Sequence, residues 1–287
     1  MKLRTYRLSQ VAMTDFTLAG YSVAGEESVV VAPELDVVFD IGRCPHEALA
    51  VNHVLLTHGH ADHIAGLPYY FAQRDFQDIA GGTALVPARL AEPLEALMSA
   101  WGRVEGHVPP HRFVAMRDGE DYEIRRNLLA RAFRTRHCAG SIGYSIIDVR
   151  KKLKAEFRDR TGPQLVELKN RGIEITDRTE VPLVAYLGDT AKSNYADLPY
   201  VRDARALLVE CTFYDSEHIS RARAGKHLHV VDMAEVLEGM NNERIVIVHV
   251  TRRTSIAAAR KALRKALPAA VLERVTFLMS GRHVLPE

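Results

Sequence analysis

The sequence predicts an α/β chain built as one domain, and three observations point there. Short apolar runs, at residues 54–57, 183–187, 207–209 and 245–248, each end in a polar or ionisable side chain: His58, Asp189 after Gly188, Glu210 and His249. Amphipathic stretches of helical period alternate with these runs. No linker divides the 287 residues, a length that suffices for one large core.

Residues 21–24, 28–31 and 35–39 read as strands broken by Gly25, Glu26 and Pro33, with Asp40-Ile-Gly closing the third. Residues 54–57 form a buried strand, and a helix starts at Gly66. A strand at 83–86 leads into a helix from Pro87 to Trp101 with apolar positions at Leu90, Leu94, Leu97 and Met98. Short strands and turns, Asp118-Gly among them, fill 114–147. Helices are expected over 232–240 and 255–267, the second with Ser255 as N-cap and Pro268 as its stop. The charged stretch 150–181 reads as an insertion in the single domain 1–287.

A net charge of +2 is too mild to mark a nucleic-acid binder, so any polyanion site must be local. Cys44, Cys138 and Cys211 lie far apart with no CxxC pair, which argues against a disulfide framework and against a cysteine zinc site. The first residues, MKLRTYRLSQVAMTDF, contain no apolar h-region, and no run of about 18 apolar residues occurs anywhere. A cytoplasmic chain without membrane contact is expected.

The chemistry concentrates in His58-Gly-His60-Ala-Asp62-His63. Residues two apart in an extended loop point the same way, so His58 and His60 suit one metal ion, while Asp62 and His63 turn toward a second. Imidazole and carboxylate donors suit Zn²⁺, with Mn²⁺ or Fe²⁺ as alternatives. Two ions need more donors. His137, after a strand at 132–135, is placed to complete the first site and His249 the second, with Asp189 placed to bridge.

With these residues in place, the chain resembles the metallo-β-lactamase fold and, within it, ribonuclease Z, closest to the short plant-type form. The resemblance runs through VVFDIGRCP (37–45), LTHGHADHIAGLP (56–68), KKLKAEF, LKNRGIEITD (168–177), GDT (188–190), ECTF (210–213), GKHLH (225–229) and IVIVHVTRR (245–253). It implies an αββα sandwich of two mixed sheets with helices outside. His58, His60 and His137 would hold one zinc, Asp62, His63 and His249 the other, and Asp189 would bridge. It also implies a homodimer acting on precursor tRNA by in-line attack, leaving a 3′-hydroxyl on the tRNA and a 5′-phosphate on the trailer.

Family logic pairs Glu210 with His227 to protonate the leaving oxygen, with His229 as the rival acid, and gives Asp62 a second role orienting the attacking water. Arg253 matches the family's arginine after the last ligand and suits a phosphate; Thr254 departs from the usual tyrosine. Lys151, Lys152 and Lys154 either grip the RNA backbone or form the solvated face of a short helix. The substrate arm of the family corresponds here to 150–181, which is short and has a single Gly162-Pro163. Arg260, Lys261, Arg264 and Lys265 read as an ordinary exposed helix face. Two other functions remain: a hydrolase of a small phosphodiester, phosphonate ester, sulfate ester or lactone on the same metal site, and a non-catalytic RNA-binding protein on the same fold. The Glu210–His227 pair weighs against the first, and the intact set of seven ligands against the second.

Overall fold

The computed structural model describes residues 8–279. Two seven-stranded sheets follow one another along the chain. The first contains, in spatial order, β1 (Ser9–Ala12), β2 (Thr17–Val23), β3 (Glu27–Ala32), β4 (Val37–Ile41), β5 (His53–Leu55), β6 (Thr83–Pro87) and β7 (Arg112–Met116). The second contains β8 (Asp121–Arg125), β9 (Leu128–Arg134), β10 (Ile142–Leu153), β11 (Thr176–Tyr186), β12 (Ala206–Glu210), β13 (Arg244–Val248) and β14 (Val275–Phe277). Each is mixed: neighbours pair antiparallel from β1 to β4 and from β8 to β11, then parallel to the far edge.

Strand alternation divides the apolar side chains among three cores. Phe39, Leu55 and Leu85 meet Tyr144, Tyr186, Leu208 and Val246 between the sheets. Val38 and Val54 face outward onto Tyr70, Phe71, Leu94 and Met98, which come from the helices Leu67–Phe76 and Ala91–Glu105. Leu207, Val209, Ile245 and Ile247 face outward on the other side, onto Val236, Ala259 and Leu263. Central strands covered on both faces must be apolar throughout, which is why the runs at 207–209 and 245–248 show no polar alternation. The result is the four-layer αββα sandwich.

The ends of several elements differ from the sequence expectation. Pro33–Leu35 forms a 3-10 turn and Asp36 is left-handed at φ 56°, so the strand expected at 35–39 begins only at Val37. The helix expected at 232–240 is cut to Met233–Val236, with Gly239 at φ 72° turning the chain away. Strand β1, the start of β2, and β14 carry too few apolar residues to have been expected. Ser255 does cap its helix, accepting from the Ala258 amide at 3.2 Å. The stretch 150–181 continues the two flanking strands: Lys151 pairs with Arg178 and Lys152 with Asp177 in the β10–β11 ladder. Only 154–175 leaves the sheet, and it contains the helix Gly162–Asn170. Lys151 and Lys152 therefore stand on a strand, not on a helix face.

The helix Leu67–Phe76 follows the histidine loop and is anchored by Arg74, which is 1% exposed. Its guanidinium donates to the carbonyls of Leu49, Val51 and Ala80 and to Asn52 Oδ1. Arg74→Met is expected to leave those buried acceptors unpaired and lower stability by about 3 kcal/mol. Denaturant unfolding checks this, and a loss below about 1 kcal/mol would show that water replaces the guanidinium.

Candidate metal centre

The histidine loop leaves the end of β5, where the central position of the strand fixes its direction. His58 and His60 lie on the same side of this extended segment, with His58 Nε2 3.0 Å from His60 Nδ1. A single helical turn, Ala61–Ile64, then swings Asp62 and His63 toward a different point. From the second sheet, His137 follows β9, Asp189 follows β11 and His249 follows β13. His137 Nε2 reaches to 3.1 Å from His60 Nδ1. Asp189 Oδ2 lies 3.7 Å from His58 Nε2, 3.8 Å from His137 Nε2, and 3.4 Å from both His63 Nε2 and His249 Nε2. Asp62 Oδ2 lies 3.7 Å from His63 Nε2 and 3.5 Å from His249 Nε2.

These distances define two donor groups, His58/His60/His137/Asp189 and Asp62/His63/His249, each with all its donor atoms within 4.8 Å of one another, and a third group with the same spacing, Asp189/His227/His249, overlaps them. Tetrahedral coordination with bonds of about 2.0–2.1 Å requires donors about 3.3 Å apart, which matches the observed spacings. Asp189 Oδ1, His63 Nε2 and His249 Nε2 are buried with no hydrogen-bond partner. Such atoms cost about 1–3 kcal/mol each when unsatisfied, and a cation between them satisfies them. The residues therefore fit a metal ion.

The protonation states of His58 and Asp189 favour binding as well. Burial, reinforced by the neighbouring His63, pushes His58 down to about 2, so its imidazole is neutral. Burial alone would raise Asp189, but the charges of His249 and His63 outweigh it and hold the carboxyl well below the ordinary range. A neutral His58 and an ionised Asp189 are what a metal requires of its donors; at His63 burial opposes the charged form, but Asp189 and Asp40 outweigh it and raise the imidazole well above its ordinary range, so a cation binds there in exchange for a proton.

Behind the donors stands a second ring of groups that fixes four of the five imidazoles, those of His58, His63, His137 and His249. Asp40, at the end of β4, accepts from the Thr57 amide at 2.8 Å, from the Thr57 hydroxyl, from His63 Nδ1 at 2.8 Å and from Tyr186 Oη at 2.8 Å. Since the Thr57 hydroxyl donates to Asp40, its oxygen is left to accept from His58 Nδ1 at 3.0 Å, turning Nε2 toward the donor cluster. The same relay recurs across the site, where Thr212 donates to Glu210 and accepts from His249 Nδ1 at 2.9 Å. His137 Nδ1 donates to the Lys226 carbonyl at 3.2 Å. Asp40, Gly188 and His249 all have positive φ, a conformation costly for non-glycine residues and typical of functional turns. At Gly188 a Cβ would stand 2.7 Å from Thr57 Cβ, so this position must be glycine.

Glu210 and His227 meet at the rim. His227 Nδ1 donates to Glu210 Oε1 at 3.0 Å, and this carboxylate also accepts from the amides of Thr190 and Leu228. Asp189 Oδ2 is farther from His227 Nδ1, at 3.9 Å, so Glu210 holds the ring. Burial opposes the His227 imidazolium, but the charge and hydrogen bond of Glu210 outweigh it and raise its pKa to about 9. His229 points elsewhere: its Nε2 donates to the Asp215 carbonyl at 2.8 Å and its Nδ1 accepts from the Val231 amide at 3.2 Å. Arg253 lines the metal cleft together with Arg221 and Phe213. Lys151, Lys152 and Lys154 are not brought to the site. At about 3.3 Å per residue, β10 carries Lys151 and Lys152 about 30 Å from Ile142, the end nearest the metals.

Sequence reasoning missed Asp40, Thr57, Thr212, Arg221 and Phe213 as parts of this region. Asp40 had a usable signal, since it too is an acid ending an apolar run. The threonines had none, because a hydroxyl is uninformative until its partner across the fold is known.

Residues 36–250 match the Beta-lactamase superfamily domain. The fold and the donor set thus define a metal-dependent hydrolase of the metallo-β-lactamase superfamily. The chain is 34% identical over 269 residues to a tRNase Z of Arabidopsis thaliana, covering 93% of this chain and 96% of that one. It belongs to the ribonuclease Z family, endoribonucleases built on this fold. Among solved structures, a metallo-β-lactamase-fold protein from Bacillus subtilis superposes with TM-score 0.62 at 13% identity, over 90% of this chain and 92% of that one. The short form of human tRNase Z does so with TM-score 0.56 at 17% identity, over 82% and 92%.

Asp40→Asn is expected to weaken zinc binding by about 10–100-fold, because the amide cannot accept every hydrogen bond the carboxylate does. Competition with a chromophoric chelator measures this, and an unchanged affinity would remove Asp40 from the account of the site.

Proposed function

We propose that the chain is a two-zinc phosphodiesterase that removes the 3′ trailer of precursor tRNA, leaving a 3′-hydroxyl on the tRNA and a 5′-phosphate on the trailer. The observation that carries this reading is the Glu210–His227 pair at the rim of a donor set large enough for two ions. When bound, the ions supply Lewis-acid polarisation of the phosphate and lower the pKa of water at the site.

His58, His60 and His137 would hold one ion and Asp62, His63 and His249 the other, with Asp189 placed to be shared by both. Asp62 Oδ2 accepts from the Gly25 amide at 2.9 Å, which fixes the carboxylate at the mouth, where it orients the attacking water and takes its proton. As the new P–O bond forms opposite the leaving oxygen, the bond to the ribose 3′-oxygen breaks. His227 uses Nδ1 to bind Glu210, so Nε2 is the nitrogen that meets the substrate, and it gives its proton to the departing oxygen. Both nitrogens of His229 are already engaged, which favours His227 for this step. Arg253, in the same cleft, holds a phosphate oxygen. The protruding β10–β11 hairpin offers Lys151, Lys152 and Lys154 to the RNA backbone at a distance.

Among the described residues no helix is long and apolar enough to cross a membrane, and we place the enzyme in the cytoplasm. We place it there as a homodimer. Leu97, Trp101 and Val104 recur at helical spacing on the helix Ala91–Glu105 and are exposed by 38%, 38% and 82%, an apolar stripe suited to a second copy. Sedimentation of the zinc-loaded protein should give the mass of two chains; a monomer would remove the dimer from the reading.

The deciding assay offers the zinc-loaded protein a precursor tRNA with a 3′ trailer, beside bis-p-nitrophenyl phosphate. Cleavage at the trailer junction is expected. Turnover of the small diester without RNA cleavage would favour a small-molecule hydrolase, and metal binding with neither activity would favour a non-catalytic RNA-binding protein. Asp189→Ala should lose both metal and activity. His227→Ala should retain metal while RNA cleavage falls about 10²–10⁴-fold, the usual range for a lost general acid; normal RNA cleavage by this variant would assign the proton to water.

A further inference from the structure

A second cleft, of about 320 Å³, opens against His58 and His60. Its walls are Pro87, Leu90, Cys138 and Gly140, and its one charged side chain is Arg89. The metal cleft contains Asp62 and Asp189, and a third cleft beside it contains Glu26 and Asp62. The Arg89 cleft alone of the three is lined by no carboxylate.

Arg89 is also held in place. Its Nη1 donates to the Ala139 carbonyl at 2.8 Å, on the loop that follows the ligand His137. Its stem lies across Gly140, where an added Cβ would meet Arg89 Cδ at 2.6 Å, and Gly140 itself has φ +73°. Among the described residues no carboxylate pairs with this guanidinium. One donor is used to fix the fork and the others remain free, so little conformational entropy is lost when an anion binds.

We infer that Arg89 binds the phosphate adjacent to the scissile one, in a single-stranded RNA segment lying through this cleft, with the ribose against Pro87 and Leu90. The inference rests on the RNA-cleaving reading and deepens it: the substrate must extend past the metals along the backbone, a requirement that a small diester cannot meet. Arg89 is a positioning residue here, since it touches neither the metals nor the reacting atoms.

The test couples the side chain to a single phosphate. RNA substrates are prepared with one uncharged methylphosphonate linkage at each position flanking the cleavage site, and Arg89→Met is compared with wild type on each. On unmodified RNA the variant should raise KM about tenfold with kcat nearly unchanged. At one flanking position the neutral linkage should cost the wild type a similar factor and the variant almost nothing. The slope of log affinity against log salt should fall by about 0.7–0.9, the value of one lost phosphate contact, and Arg89→Lys should restore it. Penalties that multiply independently at every position would overturn the assignment, as would a defect confined to kcat. Absence of RNA cleavage by the wild type would instead withdraw the underlying reading and this inference with it; cleavage without coupling removes the inference alone.

Discussion

The Asp40 carboxylate lies between the two sheets, wholly buried, and touches both donor groups: His63 directly and His58 through Thr57. A buried carboxylate is tolerable only when its lone pairs are filled, and here they are filled by the Thr57 amide and hydroxyl, His63 Nδ1 and Tyr186 Oη. Tyr186 comes from the second sheet, so one anion joins the strand carrying it, the histidine loop beside it and the opposite sheet. The left-handed backbone at Asp40, φ 50°, is the cost of aiming the side chain inward from the strand end. Once that orientation is set, the two imidazoles have one available direction each, and their Nε2 atoms converge on Asp189.

The donors are divided between the sheets. His58, His60, Asp62 and His63 belong to the first, and His137, Asp189 and His249 to the second. A cation held by this set therefore closes one edge of the sandwich, and its binding energy adds to the stability of the sheet-on-sheet packing. The same division explains the surrounding glycines. Gly188 brings the Asp189 turn against Thr57, and a Cβ at Gly42 would stand 2.0 Å from the Asp62 carbonyl. Both contacts lie where loops of different strands must approach closely for the donors to meet.

Much of this was legible in the sequence for a physical reason. Parallel strands covered on both faces must be continuous apolar runs, so any ionisable residue at such an end stands out, and His58, Asp189, Glu210 and His249 were found that way. The edge strands β1 and β14 are short and half-wet and leave no comparable signal. Charge density made 150–181 look separate from the sheet, although its outer residues continue β10 and β11; exposed hairpin strands need no apolar alternation. Arg89 was hidden for another reason: its meaning depends on the Ala139 carbonyl fifty residues later, a relation that exists only after folding.

Glu210 has a wider part than orienting one imidazole. Its Oε1 accepts from His227 and from the Thr190 amide, next to Asp189, while Oε2 accepts from Thr212, which positions His249, and from the Leu228 amide. The group that holds His227 thus also holds the loop of Asp189 and, through Thr212, one residue of the second donor group. Removing His227 leaves Glu210 with three of its four donors, whereas removing Glu210 frees His227, Thr190, Thr212 and Leu228 together. His227 and the metal donor groups are consequently not independent modules. Their relative placement is fixed through one carboxylate, so on the proposed mechanism His227 and the metal donors keep a single relative geometry.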